Sequence, residues 1–395
     1  MMTDSAALER YDAMDLARGM ALLGVAMINV HAIARGWMNH YSLDLATSGL
    51  DVMAEYVVGM LFAHRAVPVL AFLLGVGVAL QWRRLAGEVP ENPASALSQL
   101  RSRYIALCLL GVAHGLLLWP GEIVASYGLI VLLILARWPK DAQRLKAWIE
   151  VAVGLSLLLT VGMVFGYASG GDQVESMPAA ASSFAAPTVG AALAMHLKEF
   201  LFAGISQTLI PDVWVLVLIG LWLGQSGDFE RWLKGEVAAK TWIQLGWAAL
   251  MVGSLMELVA AQRGAWDYLS YVPQANSIHS LAAPLTMAGS AVVLLSIARA
   301  WRIDRIAALR SFFIAAGRTP LTQFFGQSLI FAIVFNDSLI GWHGDMGRAM
   351  YSLVALLSFI LLSGFARAWL ASGHQRGPVE LMWMALAKWI YDCGK

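Results

Sequence analysis

The stretch that decides the fold is DLARGMALLGVAMINVH, residues 15–31, an apolar run that contains Arg18 near its start and Asn29 and His31 at its end. Arg18 and Asn29 are eleven residues apart. This separation is close to three helical turns, so the two side chains share one helix face, about 16 Å apart along the axis. A membrane span needs about 20 mostly apolar residues. We therefore expect a transmembrane helix that carries polar groups at two depths.

The composition extends this expectation to the whole chain. Of its 395 residues, 59% are hydrophobic, 13% are charged and 16 are tryptophans, which lies outside the usual range of soluble domains. The formal net charge of +1 gives no argument for a nucleic-acid partner. The chain is expected to be an all-α, polytopic membrane helix bundle whose main partner is the lipid bilayer.

Apolar segments follow one another along the chain with short polar connections, and we interpret ten of them as transmembrane helices. They lie near residues 13–35, 55–81, 102–119, 121–138, 147–168, 206–225, 241–261, 279–300, 311–335 and 348–371. Residues 1–395 are thus treated as a single transmembrane domain. Within it, residues 169–205 are predicted to form an outward loop plus an interfacial helix, and residues 378–395 a cytoplasmic interfacial helix.

Positive charges concentrate in every second connection. They are Arg83, Arg84, Arg101, Arg103, Arg137, Lys140, Arg144, Lys146, Arg231, Lys234, Lys240, Arg299, Arg302, Arg305 and Arg310. Because basic loops of membrane proteins stay in the cytoplasm, both termini are predicted to be cytoplasmic. Tryptophans near the ends of the spans, Trp119 among them, are expected to be interfacial anchors.

Four ordered motifs resemble the YeiB-type bacterial membrane proteins, a family known as a domain of unknown function. They are DLARGMALLGVAMIN at residues 15–29, LGVAHGLLLWPGEI at 110–123, GRTPLTQFFGQS at 317–328 and GPVE at 377–380. At Gln323 and Phe324 the family more often has Asn and Tyr. The resemblance covers nearly the whole chain, and it implies a multi-pass protein of the bacterial inner (plasma) membrane.

This family is similar in turn to a wider group of membrane acyltransferases, including heparan-α-glucosaminide N-acetyltransferase and the acyltransferase-3 proteins. In the latter, an Arg is followed at the same spacing by a catalytic His, where this chain has Asn29. The heparan enzyme has Asn there and its functional His further on, where His40 stands. The resemblance implies transfer of an acyl group from acyl-CoA, as a co-substrate and with no tightly bound cofactor, to an envelope-side or lipid-soluble acceptor.

Such a reaction needs cationic groups for the donor phosphates and a base near the acceptor. Arg18 and Arg318 are predicted in the cytoplasmic half of the bundle, and arginine suits bidentate phosphate binding. Candidate catalytic residues toward the outer side are His31, His40, His114 and Glu122, since histidine takes up a proton near neutral pH and a carboxylate can orient it. Candidate substrate-binding residues are Asn29, His64, Gln323 and Gln327.

Each candidate also has a structural interpretation. Arg18 can reach the interface and pair with Asp15, and Asn29 can join two helices by a hydrogen bond. His40 can be an exposed loop residue and His114 a core residue. Glu122 can be a solvated helix cap. His64, four residues before Pro68, can line the same cavity or kink and wet the second helix.

The histidines show no tight ligand spacing such as His-x-x-x-His, so no metal site is predicted. No phosphate-binding loop or Gly-x-Ser-x-Gly motif is present, which argues against an ATP-driven pump and a serine hydrolase. Alternatives to the acyltransferase are a transporter or exporter of a small organic or lipidic molecule and a non-catalytic scaffold subunit. Whether the protein forms a homo-oligomer or joins a membrane complex stays open.

Overall fold

The structure is a computed structural model of the chain. It describes residues 3–35, 48–88, 90–139, 141–169, 186, 188–204, 207–262, 273–301, 307–342 and 346–394. Within these ranges the protein is built from helices and contains no strand. The predicted all-α fold is therefore confirmed.

The described residues form fifteen α-helices, one π-helical turn and one 3₁₀ turn. Their bounds are α1 Thr3–Arg35, α2 Gly49–Leu61, α3 Ala66–Glu88, α4 Pro93–Leu117, α5 Val124–Ala136, α6 Ala142–Ser169, α7 Val189–Glu199, α8 Pro211–Ser226, α9 Asp228–Lys234, α10 Lys240–Gln262, α11 Pro273–Ala300, α12 Ala307–Arg318, α13 Pro320–Phe335, α14 Arg348–Ala371 and α15 Pro378–Cys393. A π-helical turn, Phe200–Gly204, and a 3₁₀ turn, Gln207–Leu209, separate α7 from α8.

Seven segments in the described ranges are long and apolar enough to cross a membrane, with α2 and α3 counted together as one of them. Three further apolar helices, α5, α8 and α13, have only 13, 16 and 16 residues, fewer than the about 20 that a span requires. Each predicted span coincides with one of these segments. The chain is a multi-pass membrane protein in which several helices do not reach across by themselves.

Two predicted spans are broken rather than continuous. The segment near 55–81 is interrupted between α2 and α3, where His64 has a φ of +56°. The segment near 311–335 is interrupted between Arg318, the last residue of α12, and Pro320, the first of α13. Proline lacks the backbone N–H that would donate the next hydrogen bond of the helix, so the second break has a local cause.

Burial shows which helices lie inside the bundle. In the most apolar window of α1, 72% of the residues are buried, against 11% in α6 and 22% in α10. Exposed leucines such as Leu157, Leu158 and Leu255 cover the outer helices, as expected of surfaces that face lipid. The polar residues of the first motif therefore lie on the central helix. Trp119 is also buried, at 1% exposure, and belongs to a cluster with residues of α1 and α13, so its side chain lies inside the bundle. Its interfacial depth stays a prediction.

Close helix packing depends on small residues, as is usual in membrane bundles. A Cβ on Gly75 of α3 would lie 2.0 Å from the backbone oxygen of Val217 in α8, and one on Gly220 of α8 would lie 2.1 Å from that of Phe72. A second close crossing joins α1 to α12 through Gly19. These contacts hold α3 against α8 and α1 against α12.

The C-terminal helix packs on the first half of α4. Trp383 donates its indole N–H to the backbone oxygen of Arg103 at 2.6 Å, and the hydroxyls of Tyr391 and Ser95 lie 3.0 Å apart. A helix is thus present where 378–395 was predicted to form one, and α7 lies inside the predicted region 169–205. Residues 170–185 of that region lie outside the described ranges. The cytoplasmic and outward positions of the two regions stay predictions.

Candidate functional site

The candidate site is built on the turn that joins α4 to α5. Glu122 lies in this turn with its side chain fully buried. One carboxylate oxygen accepts from the amide of Val124 at 2.6 Å and the other from the amide of Ala125 at 2.5 Å. These amides open α5 and have no partner within the helix, so the carboxylate caps it. Glu122 is therefore a helix cap, but a buried one rather than the solvated cap that the sequence allowed.

A glycine in α4 brings the two helices together at this point. A Cβ on Gly111 would lie 2.2 Å from the amide nitrogen of Ala125 and 2.8 Å from a carboxylate oxygen of Glu122. No side chain other than hydrogen fits such a gap. Gly111 thus allows the carboxylate to lie directly against α4, one turn before His114.

His114 lies beside this carboxylate. Its Nδ1 is 3.8 Å from a carboxylate oxygen of Glu122, and both side chains are fully buried. The imidazole packs against the rings of Phe324 and Phe325 of α13, with centroid distances of 4.9 and 4.4 Å. Among the described residues neither ring nitrogen has a hydrogen-bond partner. A buried imidazole with two unsatisfied nitrogens costs free energy, which makes it a candidate for contact with a bound molecule.

A third residue of the site, His196 of α7, was not predicted. It is buried, its Nδ1 lies 3.1 Å from the backbone oxygen of Leu116, and it is close enough to His114 to interact with it electrostatically. Burial lowers the pKa of His196, and the contact with Leu116 opposes this shift. His196 is therefore neutral near pH 7. In the sequence, His196 could be noticed only as a histidine among apolar residues of an amphipathic helix. Such a position does not by itself indicate a functional site.

The segment after α7 covers the tip of the α4–α5 hairpin. The ring of Phe200 lies so close to Gly115 that a Cβ there would come within 2.4 Å of it. Ser126 of α5 donates to the backbone oxygen of Gly204 at 2.7 Å. The His114–Glu122 pair is thus enclosed by α13 and by the π-helical turn.

The predicted donor-binding arginines lie near each other. Arg18 donates to Asp15 at 2.6 Å and to the backbone oxygen of Gly317 at 2.9 Å, so the predicted Asp15–Arg18 pair is present. Asp15 interacts electrostatically with Arg318 as well. Arg318 is exposed, and the side chain of Arg18 is 22% exposed. The first and third motifs therefore meet in a cluster of two arginines and one aspartate, which we call the arginine cluster.

The other N-terminal candidates do not join the His114–Glu122 pair through any contact described. His31 is buried, with its Nε2 3.1 Å from the hydroxyl of Ser352 in α14. Asn29 is partly exposed. His40 lies outside the described residues.

The polar residues of the third motif are buried on α13. Gln323 is fully buried, and neither of its amide atoms has a hydrogen-bond partner among the described residues. Gln327 donates weakly to the backbone oxygen of Leu22 at 3.5 Å, and its own oxygen has no such partner. These amides are available to a polar ligand from within the bundle.

His64 belongs to a different group. It lies with Glu257 of α10 and His279 of α11, and the nearest potential ligand atoms of the three all lie within 4.8 Å of one another. Spacing along the chain could not reveal this group, because the fold brings three distant segments together. Among the described residues, it is the group of three whose potential ligand atoms lie close enough together to hold a metal ion.

A groove of about 510 Å³ lies elsewhere, between α9, α10 and α11. Its lining includes Trp232, Trp247 and Arg299, and the guanidinium of Arg299 lies 5.0 Å from the centre of the Trp232 ring. This groove does not include the arginine cluster, although it lies at the end of the bundle where the basic connections emerge.

Comparison with known proteins agrees with these motifs. Residues 230–390 match the family described as Protein of unknown function (DUF418). The chain is 25% identical to the uncharacterized protein YeiB of Escherichia coli (strain K12), with 96% of each chain covered. It is 22% identical to the uncharacterized protein YxaH of Bacillus subtilis (strain 168), over 95% of this chain and 93% of that one. The chain is thus a multi-pass membrane protein that is similar to YeiB and YxaH over nearly its whole length and matches the DUF418 domain of unknown function over residues 230–390.

Proposed function

We propose that the protein is a membrane-embedded acyltransferase that moves an acyl group from an acyl-CoA donor to an envelope-side or lipid-soluble acceptor. The observation that supports this most is the buried His114–Glu122 pair, in which the imidazole has two unsatisfied nitrogens and a carboxylate 3.8 Å away. Ionisable groups inside membrane bundles are costly and are retained mainly where they function.

In the proposed reaction His114 is the general base. One ring nitrogen takes the proton from an acceptor hydroxyl or amine as the acceptor oxygen or nitrogen attacks the thioester carbonyl. The bond from the carbonyl carbon to sulfur then breaks, and the proton returns to the thiolate, so that an ester or amide and a free thiol are formed. Glu122 stabilises the imidazolium while it exists, because the two groups are desolvated and lie close together.

The arginine cluster is the proposed donor site. Arg18 and Arg318 present two cationic side chains beside Asp15, and guanidinium groups pair with phosphate oxygens in a bidentate manner. Because both side chains retain solvent exposure, phosphates can reach them from the aqueous side. On this proposal the protein lies in the bacterial inner membrane with both termini and the arginine cluster on the cytoplasmic side.

The test uses inverted membrane vesicles, which supply the endogenous acceptors. Vesicles with the overproduced protein are incubated with acetyl-CoA labelled in the acetyl group, and label on membrane components and free thiol are measured together. We expect both to appear in equal amounts with the wild type, and to fall at least 100-fold with His114→Asn, since a general base contributes about 10²–10⁴-fold. His374→Asn is the matched control, because His374 is exposed near the chain end.

The proposal is contradicted if wild-type vesicles incorporate no more label than vesicles without the protein. It is also contradicted if the His114→Asn variant retains full activity while size-exclusion chromatography shows that it is folded. Equal loss in the His374→Asn control would likewise contradict the specific role of His114.

A second candidate, a transporter, is favoured by one observation. The membrane segment of α2 and α3 is broken at His64, and broken helices next to buried polar groups are typical of transport sites. The vesicle experiment separates the two functions. Transport would move the labelled compound across the membrane with its thioester intact and would release no thiol.

A further inference from the structure

The break between α2 and α3 presents a histidine to the α10–α11 pair. His64 lies in the break, Glu257 near the end of α10 and His279 near the start of α11. All three positions fall within segments that are apolar enough to cross a membrane. Two imidazoles and one carboxylate are thus brought together inside the bundle from three separate helical segments.

The geometry of these three side chains is close to what is needed to bind one shared ion. His279 Nδ1 lies 2.7 Å from one carboxylate oxygen of Glu257, and the rings of His64 and His279 have centroids 5.1 Å apart. The potential ligand atoms all lie within 4.8 Å of one another. Ligands bound to one ion at about 2.0–2.2 Å cannot be more than about 4.4 Å apart. Small side-chain rotations therefore suffice to place all three around one ion.

One oxygen of the Glu257 carboxylate accepts no hydrogen bond from the described residues. Glu257 is 2% exposed, and its second oxygen has no hydrogen-bond partner among the described residues. A buried carboxylate oxygen without a partner is costly, more so in a membrane bundle. This oxygen is therefore an independent sign that a hydrogen-bond donor or a cation binds at the same place.

The backbone at His64 supports a dedicated role. Its φ of +56° is the one positive value at a non-glycine residue in the described ranges. Such a conformation is unfavourable for a residue with a side chain and persists where surrounding structure requires it, often at functional sites. Here the turned backbone directs the imidazole toward His279.

The neighbouring arginine is engaged in holding this turn. Arg65 donates to the backbone oxygens of Gly59 and Ala63 at 3.2 and 2.6 Å and to the hydroxyl of Ser254 at 2.8 Å. These bonds fix the break and tie it to α10, the helix that carries Glu257. His64 and Glu257 are therefore held in a common framework.

We propose that His64, Glu257 and His279 bind a divalent transition-metal ion, with water in the remaining coordination positions. Two imidazoles and a carboxylate suit Zn²⁺, Mn²⁺ or Fe²⁺, and their affinities follow the usual order for such ligands. The site shares no residue with the His114–Glu122 pair, so this proposal can be tested independently of acyl transfer.

The test is equilibrium dialysis of purified, chelator-treated full-length protein in nanodiscs against Zn²⁺, followed by elemental analysis. We expect about one bound ion per chain in the wild type, as one three-residue site implies. His64→Ala, His279→Ala and Glu257→Gln should each weaken binding at least tenfold, because each removes a direct ligand. His374→Ala, an exposed histidine outside the group, is the matched control and should bind like the wild type.

A second measurement covers the case in which a variant fails to fold. Co²⁺ added to the wild type should give visible absorption bands of a protein-bound ion that Zn²⁺ then displaces. The proposal is overturned if the wild type binds no Zn²⁺ and shows no Co²⁺ bands. It is also overturned if folded variants of all three residues bind as tightly as the wild type.

Discussion

At the residue scale, two glutamates that lie in the sequence motifs share one structural role, which is to cap the start of a helix. Glu122 caps α5, and Glu380 of α15 accepts from the amides of Leu321 and Thr322 at the start of α13, at 2.6 and 3.2 Å. The motifs identified both acids in the sequence. Their shared role could not be predicted, because the amides that Glu380 binds lie 59 and 58 residues earlier in the chain.

Glu380 provides a pH-dependent prediction. Burial raises the pKa of this carboxyl above its ordinary value of 4.5, against the hydrogen bonds from Thr322 and Leu321. Between these two pKa values the folded protein keeps a proton that the unfolded chain has released. The stability that Glu380 contributes is therefore greatest below about pH 4.5 and is lost as pH rises through the raised pKa. We expect thermal unfolding in detergent between about pH 4 and about pH 8 to show this decline in the wild type and a flatter profile in Glu380→Gln.

Glu380→Ala tests the capping role itself. It leaves two buried amides without an acceptor, and each such loss costs about 1–3 kcal/mol. We expect unfolding of this variant at markedly lower temperature. An alanine variant as stable as the wild type, or a glutamine variant with the same decline with pH, would contradict this role.

At the element scale, the apolar segments could be predicted from the sequence, whereas their breaks had only local signals. The break before Pro320 had a signal, since proline favours the first turn of a helix. The break at His64 had a weaker signal: His64 and the nearby Pro68 allowed a kink there, but a φ of +56° leaves no trace in hydropathy. The close approach of α4 and α5 likewise depends on where Gly111 faces, which the periodicity of a nearly uniform apolar helix does not show.

Gly111→Ala should separate α4 from α5. The added Cβ would meet backbone atoms of Ala125 at 2.2 and 2.7 Å, which cannot rotate away, so we expect destabilisation of about 1–3 kcal/mol. Gly154→Ala in α6 is the matched control, because nothing lies within 4 Å of its Cβ. Thermal unfolding should leave the control unchanged or slightly more stable. Equal stability of the two variants would refute the close packing.

At the scale of the whole molecule, hydropathy and basic loops predicted a multi-pass bundle, and the helices agree with it. The grouping of side chains was beyond sequence reasoning. His64 and Glu257 are 193 residues apart, and His196 reaches His114 only because α7 folds back over the α4–α5 hairpin. Such contacts depend on tertiary packing, which neither spacing nor composition encodes directly.

The predicted sidedness can be measured with the two native cysteines. Cys393 is exposed at the end of α15, whereas Cys108 is half-buried within α4. We expect a membrane-impermeant maleimide to label Cys393 in inverted vesicles and not in intact spheroplasts, because both termini are predicted to be cytoplasmic. Cys393→Ser should remove the label. Labelling of Cys393 in intact spheroplasts would reverse the topology.

The central claim is that this bundle holds an acyl-CoA at the arginine cluster, and equilibrium binding of labelled acetyl-CoA to the protein in nanodiscs tests it most directly. We expect saturable binding by the wild type, weakened about tenfold or more in Arg18→Gln and in Arg318→Gln, as loss of a charge-assisted hydrogen bond implies. Arg84→Gln, at an exposed arginine paired with Glu88, should bind normally. No saturable binding by the wild type, or equal weakening in all three variants, would contradict the claim.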